Sequence, residues 1–464
     1  MVRLFRHHMA YSSLLLAITE GVVMFGVFFY FAQFNFAEFS HASGGVSEEF
    51  EIALLSTLCL MLLMAGFGLY NKQHFIDYRD MYARMLVACV AAIPLFFAVF
   101  YIYSSLAFSL ARIWHTSFLI TLILVLLMVG LVRTSFLLIA DISALKRRIL
   151  VYGVGPHAER IQTIASRKRA GFLVGGYVRA ENEATAIDAG LVTPHVDPLL
   201  EVARRLRANE VVVAVSERRG LRMDELLDCR TAGVQVTDYQ SFIERETGRV
   251  ELEGLVPSWL VYCDGFRIGP LSDVLKRCLD ISLALTFLIF TAPLMAATAL
   301  AVWLDSPGPI FYRQERVGKN GRPYMLLKFR SMGTDAEKNG PQWATVADHR
   351  VTRVGRFIRL TRIDELPQIF NVLQGDMSFI GPRPERPVFV DELLDEIPFY
   401  AQRHRVRPGI SGWAQINYPY GASIDDAREK LTYDLYYIKN YSIFLDIVIL
   451  IETIRAVVWA RGAR

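Results

Sequence analysis

The chain has 464 residues, 53% of them hydrophobic, with a formal charge of +4 and a mean hydropathy of +0.31. That is too apolar for an ordinary soluble protein of several domains, and the small charge, with no Lys/Arg face interleaved with aromatics, excludes a nucleic-acid partner. The 5 cysteines are scattered without a CxxC pair, so neither a disulfide framework nor a zinc site is expected.

Four apolar runs come first, roughly Ser12 to Phe34, Ile52 to Tyr70, Met85 to Leu106 and Ser117 to Ile139. Each approaches the ~20 residues that a helix needs to cross a bilayer. The first run lacks a clear small-residue cleavage site and three more follow it, which argues against a signal peptide. Arg3 and Arg6 precede the first run, Lys72, Arg79 and Arg84 fill the second connection, and Lys146, Arg147 and Arg148 follow the fourth. The first connection has no Lys or Arg and the third only Arg112. Basic residues stay on the cytoplasmic side, so the N-terminus and everything after Ile139 are expected there. Glu20 is costly in lipid and is expected to face another helix.

Residues 146–250 then alternate strands with helices. Strands are predicted from Ile149 into the glycine turn Gly153-x-Gly155-x-x-Ala158, over Phe172 to Val178, over Glu210 to Val215 and over Gly233 to Thr237. The pattern is that of a doubly wound, Rossmann-like α/β domain. The glycine turn fits a dinucleotide fingerprint. Arg179 follows the second strand where an acid would hold a ribose, so a structural or regulatory domain is the default.

After a linker at 251–269, the run from Ile281 to Trp303 is long enough to span. A crossing would carry Arg313, Arg316, Lys319, Arg322, Lys328 and Arg330 outside, against the charge rule. Pro293 removes a backbone donor mid-run, so a re-entrant helix over about 274–304, bent at Pro293, is predicted in preference to a kinked full span. Residues 441–459 are apolar but interrupted by Asp446, Glu452 and Arg455. They read as an interfacial helix anchored by Trp459 and Arg461.

Between these segments lies Arg359-x4-Asp364-Glu365-Leu-Pro367-Gln368, followed by Gly375. Early proline and late glycine punctuate a short helix starting near Asp364. A helix N-terminus favours an ionised carboxylate, which can attack phosphorus. Successive helical residues point about 100° apart, which suggests Asp364 as nucleophile and Glu365 as ligand to magnesium. Acidic residues in a first turn also simply cap helices. Against that stand the arginine-bearing motifs around the pair, with Arg313, Arg316, Lys328, Arg330, Arg359, Arg383 and Arg407. Arginine's planar fork matches phosphate, and a diphosphate needs several cations.

The motifs KRCLD at 276–280, RQERVG at 313–318, KFRSM at 328–332, DELPQ at 364–368, GPRP at 381–384, RPGISGWAQI at 407–416 and YDLYYIKNYS at 433–442 make residues 270–464 resemble the sugar transferase domain of the monotopic polyprenyl-phosphate phosphoglycosyl transferases. With the spans at 1–145 and the α/β domain, the chain resembles the long, initiating form of exopolysaccharide and O-antigen assembly. The resemblance implies an inner-membrane, multi-pass protein with an α-rich catalytic domain on the cytoplasmic side. By the same resemblance, Asp364 attacks the β-phosphate of a UDP-sugar, expelling UMP, and undecaprenyl phosphate then takes the phosphosugar. Glu365 is tied to Mg2+, while Lys328, Arg359 and Arg383 line the phosphate site. Glucose or galactose is the implied sugar, membrane lipid is a partner, and a homodimer is plausible. Ala292-Pro293 departs from the Ser-Pro of small members but keeps the proline. Two rival readings remain: a membrane-anchored nucleotide-sugar oxidoreductase or dehydratase, for which Tyr436-Tyr-Ile-Lys439 is wrongly spaced, and a non-enzymatic scaffold or sensor.

Overall fold

Three of the apolar runs form helices: α1 at Tyr11–Ala37, α2 at Val46–Gly66 and α3 at His115–Ile139. They pack around Met24, Phe28, Leu60, Met64, Val125 and Val129. The computed structural model describes residues 2–4, 7–9, 11–37, 46–66, 69–70, 82, 84–89, 91–93, 96, 115–139, 146–167, 170–180, 186–193, 197–216, 221–253, 255, 257–266, 269–334, 350–419, 421 and 423–458. Most of the predicted third run, along with Trp459 and Arg461, lies outside these residues. The chain divides into two compact units, with the main boundary along the sequence between Thr247 and Gly248.

Glu20 does face another helix. Arg133 of α3 holds it through Nε at 2.6 Å and Nη2 at 2.9 Å, with both side chains fully buried. A charge this deep in an apolar bundle is tolerable only when paired.

Five parallel strands follow: β1 at Arg147–Tyr152, β2 at Phe172–Val178, β3 at Val192–Thr193, β4 at Glu210–Val213 and β5 at Gln235–Asp238. Their order is β3-β2-β1-β4-β5. Successive side chains of a strand point to opposite faces. Ile149 and Val151 therefore join the core under α4 (Pro156–Ala165) and α7 (Tyr239–Thr247), while Leu150 and Tyr152 join that under α5 (Leu199–Arg205) and α6 (Met223–Thr231). At Gly153 (φ +135°) an added Cβ would lie 2.7 Å from the Ala214 carbonyl oxygen. Strand packing alone therefore accounts for the first glycine of the fingerprint.

The expected linker carries a short helix, α8 at Pro257–Tyr262. Next, α9 runs unbroken over Pro270–Asp305, through Pro293. Its Lys276, Asp280 and Ala284 are buried at one end and Met295, Thr298 and Val302 toward the other. Between and beyond them Phe287, Ile289, Phe290, Leu294, Leu300, Trp303 and Leu304 are exposed. An antiparallel ribbon follows, β6 (Phe311–Val317) with β7 (Pro323–Phe329), then α10 (Arg353–Leu360) and α11 (Gln368–Gln374). The remaining elements are β8 (Ser378–Ile380), α12 (Pro387–Glu396), β9 (Gly409–Ser411), α13 (Trp413–Asn417), α14 (Ile424–Lys439) and α15 (Ile443–Val458).

Asp446 does not mark a wet helix face. It is buried, accepting from Lys276 Nζ at 2.8 Å and Tyr437 Oη at 2.7 Å, which joins α15 to the start of α9.

Candidate active site

Asp364 and Glu365 lie in a single 3-10 turn, Ile363–Glu365, entered through Arg362 in the left-handed region (φ 60°). The helix expected to begin at Asp364 begins instead at Gln368, with Pro367 as its N-cap, and ends at left-handed Gly375. Proline fits a helix entrance because its missing N–H is unneeded there. The carboxylates thus precede the helix, and its free amides do not account for their ionisation.

Three ties fix the turn. Asn371 of α11 accepts from the Leu327 amide at 2.9 Å and donates to the Met325 carbonyl at 2.8 Å, stitching α11 to β7. Arg277 of α9 donates to the carbonyls of Val372 and Leu373 at the end of α11, the Val372 carbonyl also accepting from the Gly375 amide. Asp280 accepts from Ser378 Oγ at 2.9 Å and the Phe379 amide at 3.0 Å. Replacing Asn371 with Ala removes two buried bonds and strands a backbone amide and carbonyl, at a cost of about 2 kcal/mol. The expected result is a lower melting temperature together with slower turnover; an unchanged melt would contradict the stitch.

Behind the GPRP turn, β8 and β9 run parallel, with Ser378 opposite Gly409. An added Cβ at Gly381 would lie 2.3 Å from the Arg407 carbonyl oxygen, and one at Gly409 2.1 Å from the Gly381 amide. The two glycine motifs therefore exist to let two backbones touch. This contact aims Arg383, whose Nη2 donates to Glu365 Oε1 at 3.0 Å. Two further arginines grip the turn: Arg316 donates to the Pro384 carbonyl at 3.1 Å and Arg403 to that of Arg383 at 2.9 Å.

Lys328, near the end of β7, reaches the same Glu365 oxygen at 3.1 Å, and Arg362 lies 3.8 Å from it. Burial alone would raise the Glu365 pKa, but Arg383, Lys328 and Arg362 outweigh it and hold the carboxyl far below the usual range. Asp364 goes the other way. Burial raises its pKa, Lys328, Arg359 and Arg362 pull it back, and Glu365 pushes it further up. Its Oδ1 is buried without a hydrogen-bond partner among the described residues. Burial lowers the Lys328 pKa, which Glu365 counters. Two adjacent carboxylates are thus driven apart, one strongly acidic and engaged, the other less acidic and open.

Of the residues singled out in the sequence, Lys328, Arg359 and Arg383 act on the pair. Arg316 stands behind the turn. Arg313 is exposed on the face of the ribbon opposite Lys328, since Lys328 pairs with Tyr312 and Arg313 with Leu327. Arg330 is buried and caps the end of α9, donating to the carbonyls of Ser306 and Pro307 at 2.6 and 3.0 Å. Arg407 pairs with Asp273 at 3.1 Å. Sequence reasoning missed Arg362, Asn371 and Arg403. Arg362 lies between Arg359 and Asp364, and its three-residue spacing to Glu365 was the available signal.

Among the described residues no group of three His, Cys, Asp or Glu forms a metal cage. The pair does suit a magnesium ion that keeps water and substrate oxygens. Asp364 Oδ1 is unpartnered, and all three cation contacts of Glu365 fall on Oε1.

The family described as bacterial sugar transferase matches residues 271–460, and one described as a CoA-binding domain matches 65–236. A UDP-N-acetylgalactosamine-undecaprenyl-phosphate N-acetylgalactosaminephosphotransferase of Aeromonas hydrophila is 48% identical over 239 residues, 52% of this chain and 56% of that protein. A UDP-glucose:undecaprenyl-phosphate glucose-1-phosphate transferase of Caulobacter vibrioides is 41% identical over 194 residues, 40% of this chain and 72% of the relative. The Escherichia coli K12 protein of that name is 36% identical over 266 residues, 56% of this chain and 57% of its own length. The chain thus spans about half the length of two of these relatives and most of the third.

Proposed function

Because the chain belongs to the bacterial sugar transferase family, we propose that it transfers a sugar 1-phosphate from a UDP-sugar to undecaprenyl phosphate through an aspartyl-phosphosugar intermediate. The observation that carries this reading is the contrast within one turn. Glu365 is locked among cations, while Asp364 Oδ1 is buried with no hydrogen-bond partner among the described residues. A carboxylate stripped of solvent and partners is a stronger nucleophile than one in water.

An oxygen of Asp364 attacks the β-phosphorus of the UDP-sugar. The bond from that phosphorus to the bridging oxygen breaks, and UMP leaves with the electron pair. The acyl phosphate is then attacked at the same phosphorus by an oxygen of undecaprenyl phosphate. The bond to Asp364 breaks, the carboxylate is restored and a lipid-diphospho-sugar leaves. Lys328, Arg359, Arg362 and Arg383 offset the charge of the transferring group. Glu365 holds Arg383 and Lys328 in place and, with Asp364, would hold Mg2+, whose chemistry is to neutralise phosphate oxygens. Two carboxylates among four cations leave the site positive, as a diphosphate substrate requires.

The site belongs at the membrane face. Both ends of α9 bury side chains in the same catalytic body, Ala284 at one end and Val302 toward the other. That supports a helix that dips into the bilayer and returns, beside four spans, with the catalytic domain on the cytoplasmic side where UDP-sugars are made. The sugar proposed is a hexose, glucose or galactose, with N-acetylgalactosamine added by the Aeromonas relative's name.

The test is UMP release by the purified chain in nanodiscs across UDP-glucose, UDP-galactose and UDP-N-acetylgalactosamine, with intact-mass detection of the phosphosugar adduct. One sugar should release UMP and leave an adduct on residue 364. Glu365→Gln should shift the magnesium titration to higher concentration. Release without an adduct, in the absence of acceptor, would defeat the two-step reading.

A further inference from the structure

We infer that the stretch 248–266 is a strap that sets the GPRP turn for the UDP-sugar, with Trp413 as the positioning residue that receives it. This rests on the transferase reading and deepens it. The stretch lies between the two family matches, one ending at 236 and the other beginning at 271. It starts at the residue after α7, yet it belongs to the catalytic body. Val250 and Leu255 are buried in the core that holds Leu431 and Leu435 of α14. Four polar ties fix it. Trp413 Nε1 donates to the Gly248 carbonyl at 2.7 Å, and Arg249 pairs with Glu429 at 2.6 Å. The Val250 amide donates to the Thr432 carbonyl at 3.0 Å and the Phe266 amide to that of Lys439 at 3.1 Å. The expected linker is thus laid along α14 as part of its packing.

The elements under the strap are those that hold the GPRP turn. α14 supplies Asp434, which pairs with Arg403, the donor to the Arg383 carbonyl. Trp413 opens α13 directly after Gly412, where an added Cβ would lie 2.2 Å from the Gly381 carbonyl oxygen. The Gly381 amide donates to the Ser411 carbonyl and the Gly409 amide to that of Pro382, both at 2.9 Å. The exit of β9 is therefore in backbone contact with the turn, and the strap holds that exit through the indole. An indole N–H is a single fixed donor, so its acceptor decides where the ring sits. Gly248 presents that acceptor from the left-handed region (φ +68°), and a Cβ there would lie 3.2 Å from Trp413 Cζ2. On its other side the ring stacks on Tyr436, with centroids 5.8 Å apart. The bond, the glycine and the stack leave the indole one seat. From it, one backbone contact leads to Gly381, two residues before the arginine that meets Glu365. A small shift of that arginine weakens its hold on a diphosphate.

The test uses the full chain in nanodiscs. Trp413→Phe keeps a ring on Tyr436 and loses the bond to Gly248. Its KM for the UDP-sugar should rise about fivefold, the worth of one neutral hydrogen bond, while the single-turnover rate at saturation stays as in wild type. Gly248→Ala, which pushes on the indole from the strap side, should give a similar shift. The double variant should be no worse than either alone, because both changes break one contact. Independently of activity, hydrogen exchange at the Gly381 and Gly409 amides should quicken by about the same factor in Trp413→Phe. An unchanged KM, additive shifts in the double variant, or exchange that quickens in the strap while Gly381 and Gly409 keep the wild-type rate overturns the inference. If no UDP-sugar releases UMP even in wild type, the transferase reading fails instead, and the exchange still decides the strap.

Discussion

Asp364→Asn is expected to cut adduct formation and overall transfer by at least about a thousandfold, as removal of a covalent nucleophile does. The same change should make the protein more stable. Asn keeps the shape of Asp but carries no charge, and the pocket disfavours that charge: burial raises the Asp364 pKa despite Lys328, Arg359 and Arg362. A folded pKa above the unfolded one means that ionising Asp364 opposes folding. Its contribution is therefore most favourable at low pH and is lost as pH rises through the folded value. Wild type and Asp364→Asn should melt together in acid and diverge toward neutral pH, the variant melting a few degrees higher. Glu365 has the opposite sign. Its folded pKa is depressed, so its pairing stabilises above the ordinary glutamate range and fades as pH falls below it. Glu365→Gln should thus destabilise at neutral pH. Equal melting of wild type and Asp364→Asn at every pH would show that the aspartate stores no such cost.

How much of this could be read from the sequence depends on what each residue touches. Groups that act on their near neighbours were legible: the Asp364-Glu365 pair, Arg359 shortly before it, the Pro367 and Gly375 punctuation, and the strands through Ile149 and Phe172. Glu20 announced a partner because no lone charge survives in an apolar bundle, although Arg133, 113 positions on, was not singled out. Arg330 was grouped with the phosphate-site cations because it shares a basic motif with Lys328. Its donors turn to the carbonyls of Ser306 and Pro307, 24 and 23 positions back, and no local pattern records a helix end folded against it. Arg407 was lost to Asp273 across 134 positions in the same way. Arg313 was within reach, since alternation along β6 already separates it from Tyr312 and so from Lys328. The start of α11 differed from expectation because the carboxylates sit in the tighter turn forced by left-handed Arg362, a backbone state that propensity does not foresee.

Arg403 shows why the missed residues matter, and it should separate stability from catalysis. Its Nε lies 3.1 Å from Asp434 Oδ2, its Nη1 donates to Tyr400 Oη at 2.7 Å, and its Nη2 reaches the Arg383 carbonyl. Arg403 is 6% exposed and Asp434 2%. Burial raises the Asp434 pKa, with Arg403 opposing the rise. Arg403→Met leaves that carboxylate buried without its partner, at a cost of about 3–5 kcal/mol, enough to endanger folding. Arg403→Met/Asp434→Leu removes both charges and should recover most of the loss, because a buried pair contributes little net stability against apolar replacements. It cannot restore the bond to the Arg383 carbonyl, so the turn that carries the arginine meeting Glu365 keeps Arg316 but loses its second arginine. The double variant should therefore melt near wild type while its KM for the UDP-sugar rises about tenfold, the worth of a hydrogen bond from a charged group, with little change in single-turnover rate at saturation. Arg403→Lys, which keeps the charge but loses the fork, should fall between the two in stability. Full recovery of the KM in the double variant would mean that Arg403 serves the fold alone and that the GPRP turn needs no second arginine.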